Sequence, residues 1–222
     1  MSERVVAVVP VRSLRNGKTR LSSVLAPDAR ERLLRQTAKQ VTCAAVDSGT
    51  IETVLIVSPD PDVLDWAATL GPAVTALRQP NHQPGLNGAI DAGRDWAQVH
   101  SASAIVSLFA DLPFIGPEDI RQFTARSEPV VLGPDRRGEG TNALFLRLAE
   151  RGAEFRFAFG ERSLVKHVEE ANRLGLDLVL HKTAGIAFDL DSPDDWDDFL
   201  DIVTDYGSPS SVESTTCGVG AG

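Results

Sequence analysis

The chain has 222 residues, of which 42% are hydrophobic, and a formal net charge of −9. That length is enough for one α/β domain with a sizeable buried core. The acidic balance disfavours nucleic acid as a partner, because neutralising phosphates takes an extended basic face. No run reaches the roughly 18 apolar residues of a membrane span, and no signal peptide is recognisable. We therefore expect a soluble, cytoplasmic protein without a membrane partner.

Cysteine and histidine usage argues against two further classes of site. Cys43 and Cys217 form no CxxC pair, and we expect neither a disulfide framework nor a catalytic thiol. The four histidines are scattered along the chain, without the HxxxH or HxH spacing that would suggest zinc. A zinc site or a cysteine enzyme is therefore not expected.

Short apolar runs rich in β-branched residues alternate with helical patterns. The runs predict buried strands at residues 5–11, 53–58, 73–77, 104–109 and 130–133. Apolar residues at helical spacing predict helices at residues 30–46, 62–70 and 87–99. This alternation is typical of βαβ units and therefore of an α/β fold.

The later part of the chain is less regular. Helix starts are predicted at Pro117 and Pro193, where proline and acidic residues fill the first turn. Residues 137–160 are irregular apart from a strand at 142–146, and we expect a second, functional lobe there. A helix follows at 163–174.

The end of the chain differs in composition from the rest. From residue 207 onward it is rich in Gly, Ser and Thr and has no periodicity, which predicts a disordered tail. We therefore expect a single domain at residues 1–206 and a tail at 207–222.

Four cations fall within the nine residues that follow the first predicted strand: Arg12, Arg15, Lys18 and Arg20, with Gly17 among them. A basic loop at the carboxyl end of a buried strand is where an open α/β sheet receives an anionic ligand, usually a nucleotide phosphate. The alternative is a solvated surface turn.

Gly17, Lys18 and Thr19 also match the end of a P-loop. A P-loop needs another glycine five residues before Gly17, and Arg12 stands there. The first helix is also predicted to begin near Pro27, well after Lys18. A P-loop NTPase is therefore disfavoured.

Three aspartates follow apolar residues at positions suited to a cation. Asp111 lies two residues after the strand at 104–109, and a carboxylate at a strand end can hold Mg²⁺ beside phosphates. Asp189 and Asp191 alternate along an extended segment, so both can face the same cation as Asp111. The alternatives are an Asp-initiated turn before Pro113 and, for Asp191, a position that merely precedes a helix cap.

Two glycine-containing turns offer a further place for an anion. Residues 138–142 lack the third glycine of a dinucleotide fingerprint, yet they can cradle a carboxylate or phosphate or form a plain turn. Gly160 and Ser163 open a helix, as anion-binding helix N-termini do, although Ser163 alone is explained as an N-cap. Asn87 is either a cap or an amide that faces a ligand.

In chain order, seven short motifs stand out between about residues 5 and 196: Val9-Pro10-Val11-Arg12, Lys18-Thr19-Arg20-Leu21, Leu86-Asn87, Ala110-Asp111-Leu112-Pro113, Gly140-Thr141-Asn142, Phe159-Gly160 with Ser163 and His167, and Asp189-Leu190-Asp191. Together they resemble the guanylyltransferase family of coenzyme F-420 biosynthesis. Its members join the guanylyl group of GTP to the phosphate of 2-phospho-L-lactate, phosphoenolpyruvate or 3-phosphoglycerate. The resemblance implies a three-layer α/β/α sandwich with a mostly parallel sheet, of the nucleotide-diphospho-sugar transferase type related to the glycosyltransferase A fold.

The resemblance also implies which residues meet the metal and the triphosphate. Asp111, Asp189 and Asp191 would hold Mg²⁺, and Asp111 would count among the catalytic residues. Lys18 and Arg20 would bind the triphosphate of GTP and complete the catalytic set.

The remaining implied roles concern the acceptor and the rest of the nucleotide. Thr141, Gly160 and Ser163 would bind the phosphorylated three-carbon acid, and Asn87 would lie near the nucleoside. Arg12 would also bind nucleotide, but related enzymes often have lysine there. Arginine keeps the positive charge but carries it on a planar guanidinium, whereas lysine carries it on a compact ammonium. The resemblance therefore leaves the role of Arg12 open.

Rival functions remain on the sequence alone. A cytidylyltransferase or molybdopterin guanylyltransferase shares the implied fold but usually has a more glycine-rich first loop. A glycosyltransferase would leave a nucleoside diphosphate, and a non-catalytic GTP-binding regulator would release nothing. Among acceptors, phosphoenolpyruvate is favoured over 2-phospho-L-lactate and 3-phosphoglycerate because the chain looks bacterial, and a downstream transferase is the expected protein partner.

Overall fold

The computed structural model describes residues 3–206 and Cys217, and within them seven strands form one mixed sheet. The strands are β1 (Val5–Pro10), β2 (Thr53–Ser58), β3 (Val74–Arg78), β4 (Ala104–Leu108), β5 (Val130–Pro134), β6 (Thr141–Arg147) and β7 (Leu178–Leu180). Their spatial order is β3-β2-β1-β4-β6-β5-β7. Only β6 runs antiparallel to its neighbours, β4 and β5, so this sheet is mostly parallel as predicted.

Helices cover both faces of this sheet. They are α1 (Pro27–Asp47), α2 (Pro61–Ala67), α3 (Gly85–Val99), α4 (Pro117–Thr124), α5 (Ser163–Leu174), α6 (Ala184–Ala187) and α7 (Pro193–Tyr206), with short 3-10 helices at Thr19–Ser23 and Glu150–Glu154. Strand β1 explains the two faces, because its side chains alternate between them. Ala7 and Val9 pack in the core beneath α1, whereas Val6 and Val8 pack in the core beneath α3. The predicted three-layer α/β/α sandwich is confirmed.

The order of the strands creates one crevice. The chain passes from β1 outward to β2 and β3, then crosses back to place β4 on the other side of β1. At such a switch point the loops after the two central strands diverge and leave a cleft at the carboxyl ends. The basic loop follows β1 and Asp111 follows β4, so the topology brings both to the same cleft.

Some elements differ from the sequence-based expectation. The 3-10 helix Thr19–Ser23 starts directly after Lys18, so a short helical turn precedes α1. The irregular stretch 137–160 does not form a separate lobe, because β6 inserts between β4 and β5 in the common sheet. Strand β7 was not predicted, since its three residues are too few for a recognisable pattern.

The expectation that the cysteines do not pair is wrong. Cys43 on α1 and Cys217 form a disulfide with a Cα–Cα distance of 4.8 Å, across a sequence separation of 174 residues. The backbone N–H of Cys217 also donates to the carbonyl of Leu70 at 3.0 Å. Such a pairing leaves no trace in local spacing, because tertiary folding alone brings the two residues together.

The rest of the predicted tail, residues 207–216 and 218–222, lies outside the described residues. The domain boundary at residue 206 therefore stays a prediction. Among the helices that the structure describes, none combines the length and apolar character needed to cross a bilayer.

Reduction of the Cys43–Cys217 disulfide is expected to lower the free energy of unfolding by about 2–4 kcal/mol, because the link restricts the unfolded chain. Urea denaturation followed by tryptophan fluorescence, with and without dithiothreitol, measures the change. Cys217→Ser is the control. Its urea midpoint should match that of the reduced wild-type protein and should be the same with and without dithiothreitol. Equal midpoints for the oxidised and reduced wild-type protein would contradict the prediction.

Candidate active site

A cavity of about 370 Å³ occupies the crevice at the carboxyl ends of β1 and β4. Most of the residues singled out from the sequence line it: Arg12, Asp111, Thr141, Gly160, Ser163, Asp189 and Asp191. Lys18 and Arg20 reach the same place through ion pairs with its aspartates. Asn87 does not line this cavity. The structure thus brings most of the predicted site residues together.

The basic loop is held against the first helix. A Cβ on Gly17 would clash with Cδ2 of Leu34 on α1, so a larger residue would displace either the loop or the Leu34 side chain. The next residue, Lys18, has a left-handed backbone with a φ of 55°. This conformation is uncommon for a residue with a Cβ and is typical of turns and functional sites. It turns the Lys18 side chain inward.

Lys18 is the cation at the centre of the carboxylates. Its ammonium lies 2.5 Å from Oδ2 of Asp111 and 3.6 Å from Oδ1 of Asp191, and only 5% of its side chain is exposed. Arg20 also pairs with Asp191, at 2.7 Å, but its side chain is largely exposed. The buried pair resists screening, whereas the Arg20 pair is open to water and contributes little to stability.

One backbone hydrogen bond docks the second carboxylate segment onto the first. The N–H of Leu190 donates to the carbonyl of Asp111 at 3.0 Å, and the Leu190 side chain is fully buried. Its neighbours Asp189 and Asp191 therefore point the other way, into the cavity, as the predicted alternation requires. The amide of Asn142 on β6 donates to Oδ1 of Asp189 at 3.2 Å.

The carboxylates are close enough to interact electrostatically. Burial raises the pKa of the Asp189 carboxyl above its ordinary value, and the nearby Asp111 charge raises that pKa further. A buried acid beside a second acid favours a cation in the same space. In this structure the Lys18 ammonium supplies positive charge beside Asp111 and Asp191.

Asp191 directly precedes the cap at the start of α7, as its alternative explanation held. Ser192 and Asp195 form the cap, with Asp195 Oδ2 accepting from the Ser192 N–H at 2.8 Å and the Asp195 N–H donating to Ser192 Oγ at 3.2 Å. The Asp191 side chain takes no part in this cap. It is free to pair with Lys18 and Arg20.

The carboxylates do not form a ready-made metal centre. Within residues 3–206 and Cys217, no group of three His, Cys, Asp or Glu side chains is arranged around a metal position. Oδ1 of Asp111 is nevertheless buried and has no hydrogen-bond partner among the described residues. An unpartnered buried carboxylate oxygen is costly unless a cation satisfies it.

The opposite wall carries hydroxyls and a glycine turn. Gly160 has a φ of 118°, a backbone conformation that side chains rarely adopt. Arg162 is the N-cap of α5 and makes no side-chain cap, so Ser163 occupies the first helical position and not the cap predicted as its alternative role. Ser163 and Thr141 are both buried and both line the cavity.

Asn87 fixes this glycine turn from α3. Its amide donates to the carbonyl of Phe159 at 3.2 Å, and its carbonyl accepts from the Phe159 N–H at 2.8 Å. Both ends of the side chain are thus engaged in bracing the backbone next to Gly160. Contact between Asn87 and a nucleoside stays a prediction.

A second cavity, of about 560 Å³, adjoins the first and shares Arg12 and Leu86 with it. Its far wall is the segment 79–85 between β3 and α3, where the Gln79 amide donates to the carbonyls of Gln83 and Gly85 at 2.6 and 2.7 Å. Sequence reasoning missed this segment. Its two prolines, at positions 80 and 84, were the available signal of a fixed loop wall.

Comparison with known proteins identifies the family. Residues 5–207 match the family described as guanylyl transferase CofC like. The chain belongs to this family. It is therefore a nucleotidyltransferase of the guanylyltransferase type, and the family expected from the sequence motifs is confirmed.

Two relatives that are named guanylyltransferases match most of the chain. The phosphoenolpyruvate guanylyltransferase of Rubrobacter xylanophilus is 41% identical over 194 residues, which covers 86% of this chain and 91% of the relative. The 2-phospho-L-lactate guanylyltransferase of Methanothermobacter thermautotrophicus is 30% identical over 194 residues, covering 86% of this chain and 82% of the relative.

A solved structure shares the fold of this chain. A nucleotidyl transferase from Methanothermobacter thermautotrophicus superposes with a TM-score of 0.65 at 17% identity, covering 91% of this chain and 98% of the other. At such low identity the likeness concerns the fold alone, and it supports the predicted nucleotide-diphospho-sugar transferase architecture.

Lys18→Met is expected to lower the free energy of unfolding by about 1–3 kcal/mol in the presence of a chelator, because it leaves partly buried carboxylates without their cation. Thermal or urea unfolding in EDTA measures the loss. Lys39→Met on α1 is a matched control, since Lys39 is half-buried and makes no ion pair among the described residues. Equal unfolding midpoints for the two variants would contradict the central role of Lys18.

Proposed function

We propose that this protein transfers the guanylyl group of GTP to the phosphate of phosphoenolpyruvate and releases pyrophosphate, as a step of coenzyme F-420 biosynthesis. The observation that carries the proposal is the cavity in which Asp111, Asp189 and Asp191 face the basic loop. Membership of the guanylyl transferase family supports the transferred group. The name of the Rubrobacter relative supports the acceptor.

The chemistry explains why charge dominates this cavity. A phosphate monoester has a second pKa near 6, so the acceptor is largely a dianion at neutral pH and needs little help from a general base. The obstacle is repulsion, because this dianion must approach the α-phosphorus of an anionic triphosphate. Catalysis then consists of neutralising charge and aligning the acceptor with the departing pyrophosphate.

The three aspartates suit a divalent metal, for which we propose Mg²⁺. Asp111 offers a buried oxygen without a partner, and its other oxygen already binds the Lys18 ammonium. Asp189 and Asp191 complete an oxygen donor set of the kind that hard cations prefer. When bound, the metal supplies positive charge to the phosphate oxygens of the nucleotide.

The proposed role of the cations is to take up the charge of the leaving group. Lys18 turns from Asp111 toward the triphosphate once another cation satisfies that carboxylate, and Arg20 leaves Asp191 in the same way. Both side chains then stabilise the charge that gathers on pyrophosphate. Arg12 is exposed and borders both cavities, so it suits a phosphate held between them.

The acceptor and the nucleoside take the two remaining regions. Thr141, Gly160 and Ser163 bind the phosphorylated acid through hydroxyls and backbone on the wall opposite the basic loop. The nucleoside enters the adjoining cavity along segment 79–85, which the carboxylate cavity meets at Arg12. Asn87 is proposed to lie near the nucleoside, since its neighbour Leu86 lines both cavities.

The reaction also bears on location and partners. GTP and phosphoenolpyruvate are highly charged and do not cross a bilayer unaided, so we propose that the protein works in the cytoplasm. Its product contains an activated phosphoanhydride link between the two phosphates, and a downstream transferase is the proposed consumer.

The proposed reaction is expected to give a guanylylated product from GTP, Mg²⁺ and phosphoenolpyruvate in competition with 2-phospho-L-lactate and 3-phosphoglycerate. Mass spectrometry identifies the adduct, and ATP, CTP and UTP replace GTP in parallel reactions as controls. A dominant adduct of phosphoenolpyruvate with GMP supports the proposal. A dominant adduct of another acceptor would correct the substrate, and turnover of CTP alone would contradict guanylyl transfer.

Asp111→Asn is expected to reduce turnover by at least about 1,000-fold, because an amide cannot replace the charge of a carboxylate that holds a metal. The fold should survive, since the amide oxygen still accepts from Lys18 and Asp191 remains as a counter-charge. Pyrophosphate release measures the rate, and thermal unfolding checks the fold. Asp62→Asn, which alters an exposed carboxylate on α2, is the matched control. Wild-type rates for Asp111→Asn would overturn the assignment.

A further inference from the structure

His167 is a buried, polar side chain to which the proposed mechanism gives no task. It lies on α5 with none of its surface exposed, and its ring packs edge-on against Phe159 at 4.6 Å between centroids. A buried polar ring needs partners for both nitrogens. The two partners of His167 belong to the two halves of the acceptor wall.

The first partner fixes which nitrogen carries the proton. The backbone N–H of Ala158 donates to Nε2 of His167 at 3.0 Å. A nitrogen that accepts a hydrogen bond has a lone pair and no proton, and burial lowers the pKa of His167 to about 4, so the ring is neutral at pH 7. A neutral imidazole has one N–H proton, so a ring with a bare Nε2 has its proton on Nδ1.

The second partner receives that proton. Nδ1 of His167 lies 3.1 Å from Oγ1 of Thr141, so the ring donates and the threonine oxygen accepts. The hydrogen of the Thr141 hydroxyl is then free to point elsewhere, and Oγ1 has no other hydrogen-bond partner among the described residues. Thr141 lines the cavity, which is where a ligand can accept from this hydroxyl.

The opposite tautomer would reverse the polarity of the wall. With the proton on Nε2, Nδ1 would accept from the Thr141 hydroxyl, and the oxygen would present lone pairs to the cavity. Lone pairs repel an anion, whereas an O–H donor binds it. The tautomer of a ring that touches no ligand therefore decides whether Thr141 attracts or repels a phosphate or carboxylate.

We propose that His167 is a positioning residue that makes Thr141 a hydrogen-bond donor to the anionic acceptor, because the Ala158 N–H locks the ring in its Nδ1-protonated tautomer. The inference rests on the proposed function, in which Thr141 belongs to the acceptor wall. The same ring ties the backbone beside Gly160 to strand β6, since Ala158 precedes Phe159 and Gly160 in the chain. One side chain thereby sets both the spacing and the polarity of the acceptor wall.

Two substitutions separate the two hydrogen bonds. The amide nitrogen of His167→Asn falls near Nδ1 and keeps the donation to Thr141, whereas His167→Gln reaches toward Nε2 and keeps an acceptor for Ala158 without that donor. We expect His167→Gln to raise the KM for the acceptor about 10-fold or more, with the KM for GTP within about 2-fold of wild type. His167→Asn should raise the acceptor KM far less.

A double-mutant cycle and a matched control complete the kinetic test. Thr141→Val should have little further effect in the His167→Gln background, because the hydroxyl has already lost its orientation. His181→Gln alters the other buried histidine, which contacts Arg126 away from the cavity, and should leave both KM values unchanged. Equal effects of His167→Gln and His167→Asn on both KM values would indicate a merely structural role and overturn the inference.

The tautomer itself is measured without turnover. Long-range ¹H–¹⁵N correlation spectra of the wild-type protein at pH 7 should show a protonated Nδ1 and a bare Nε2 for His167, and this signal should be missing from His167→Gln. His100, whose Nδ1 lies 2.8 Å from the carbonyl oxygen of Trp96, shares this pattern and should keep its signal in that variant. A protonated Nε2 at His167 would overturn the inference alone. Absence of pyrophosphate release by the wild-type protein with every acceptor would contradict the proposed function and the inference together, so the two failures are distinguishable.

Discussion

The ion pair between Lys18 and Asp111 is the interaction around which the rest of the site is organised. It joins the loop after β1 to the loop after β4 at 2.5 Å, in a place where the lysine is almost fully buried. Carboxylates so close together need a cation to be stable in a low dielectric. Without a ligand the chain provides that cation itself, and the same lysine is the group that a triphosphate would attract.

The fold brings the two residues of this pair to the same cleft. Strands β1 and β4 are parallel neighbours at the switch point of the sheet, so the loops that leave them share one cleft. The hydrogen bond from Leu190 to Asp111 then adds Asp189 and Asp191 from a segment nearly eighty residues later. On the facing wall Asn87 and His167 hold the backbone beside Gly160 through hydrogen bonds of their own. Both walls of the cavity are thus held by hydrogen bonds between segments that are distant in the sequence.

The sequence predicted the parts that local pattern determines. The apolar runs located six of the seven strands that the structure describes, and the helix at 163–174 was found because its apolar spacing is regular. Asp189 and Asp191 line one cavity, as alternation along the segment predicted, and Leu190 between them is buried. The Cys43–Cys217 disulfide and the bracing role of Asn87 were missed, because both depend on partners 174 and 72 residues away. The tautomer of His167 was equally hidden, since a single backbone N–H decides it.

The central claim is that the three aspartates hold a metal in place of Lys18 when the nucleotide binds. Crystals grown with Mn²⁺ and a GTP analogue that carries a methylene bridge between the α- and β-phosphorus test it most directly through anomalous scattering. We expect a manganese peak bounded by Asp111, Asp189 and Asp191, with Nζ of Lys18 on a phosphate oxygen. A peak elsewhere, or a Lys18 that still pairs with Asp111 beside bound nucleotide, would contradict it.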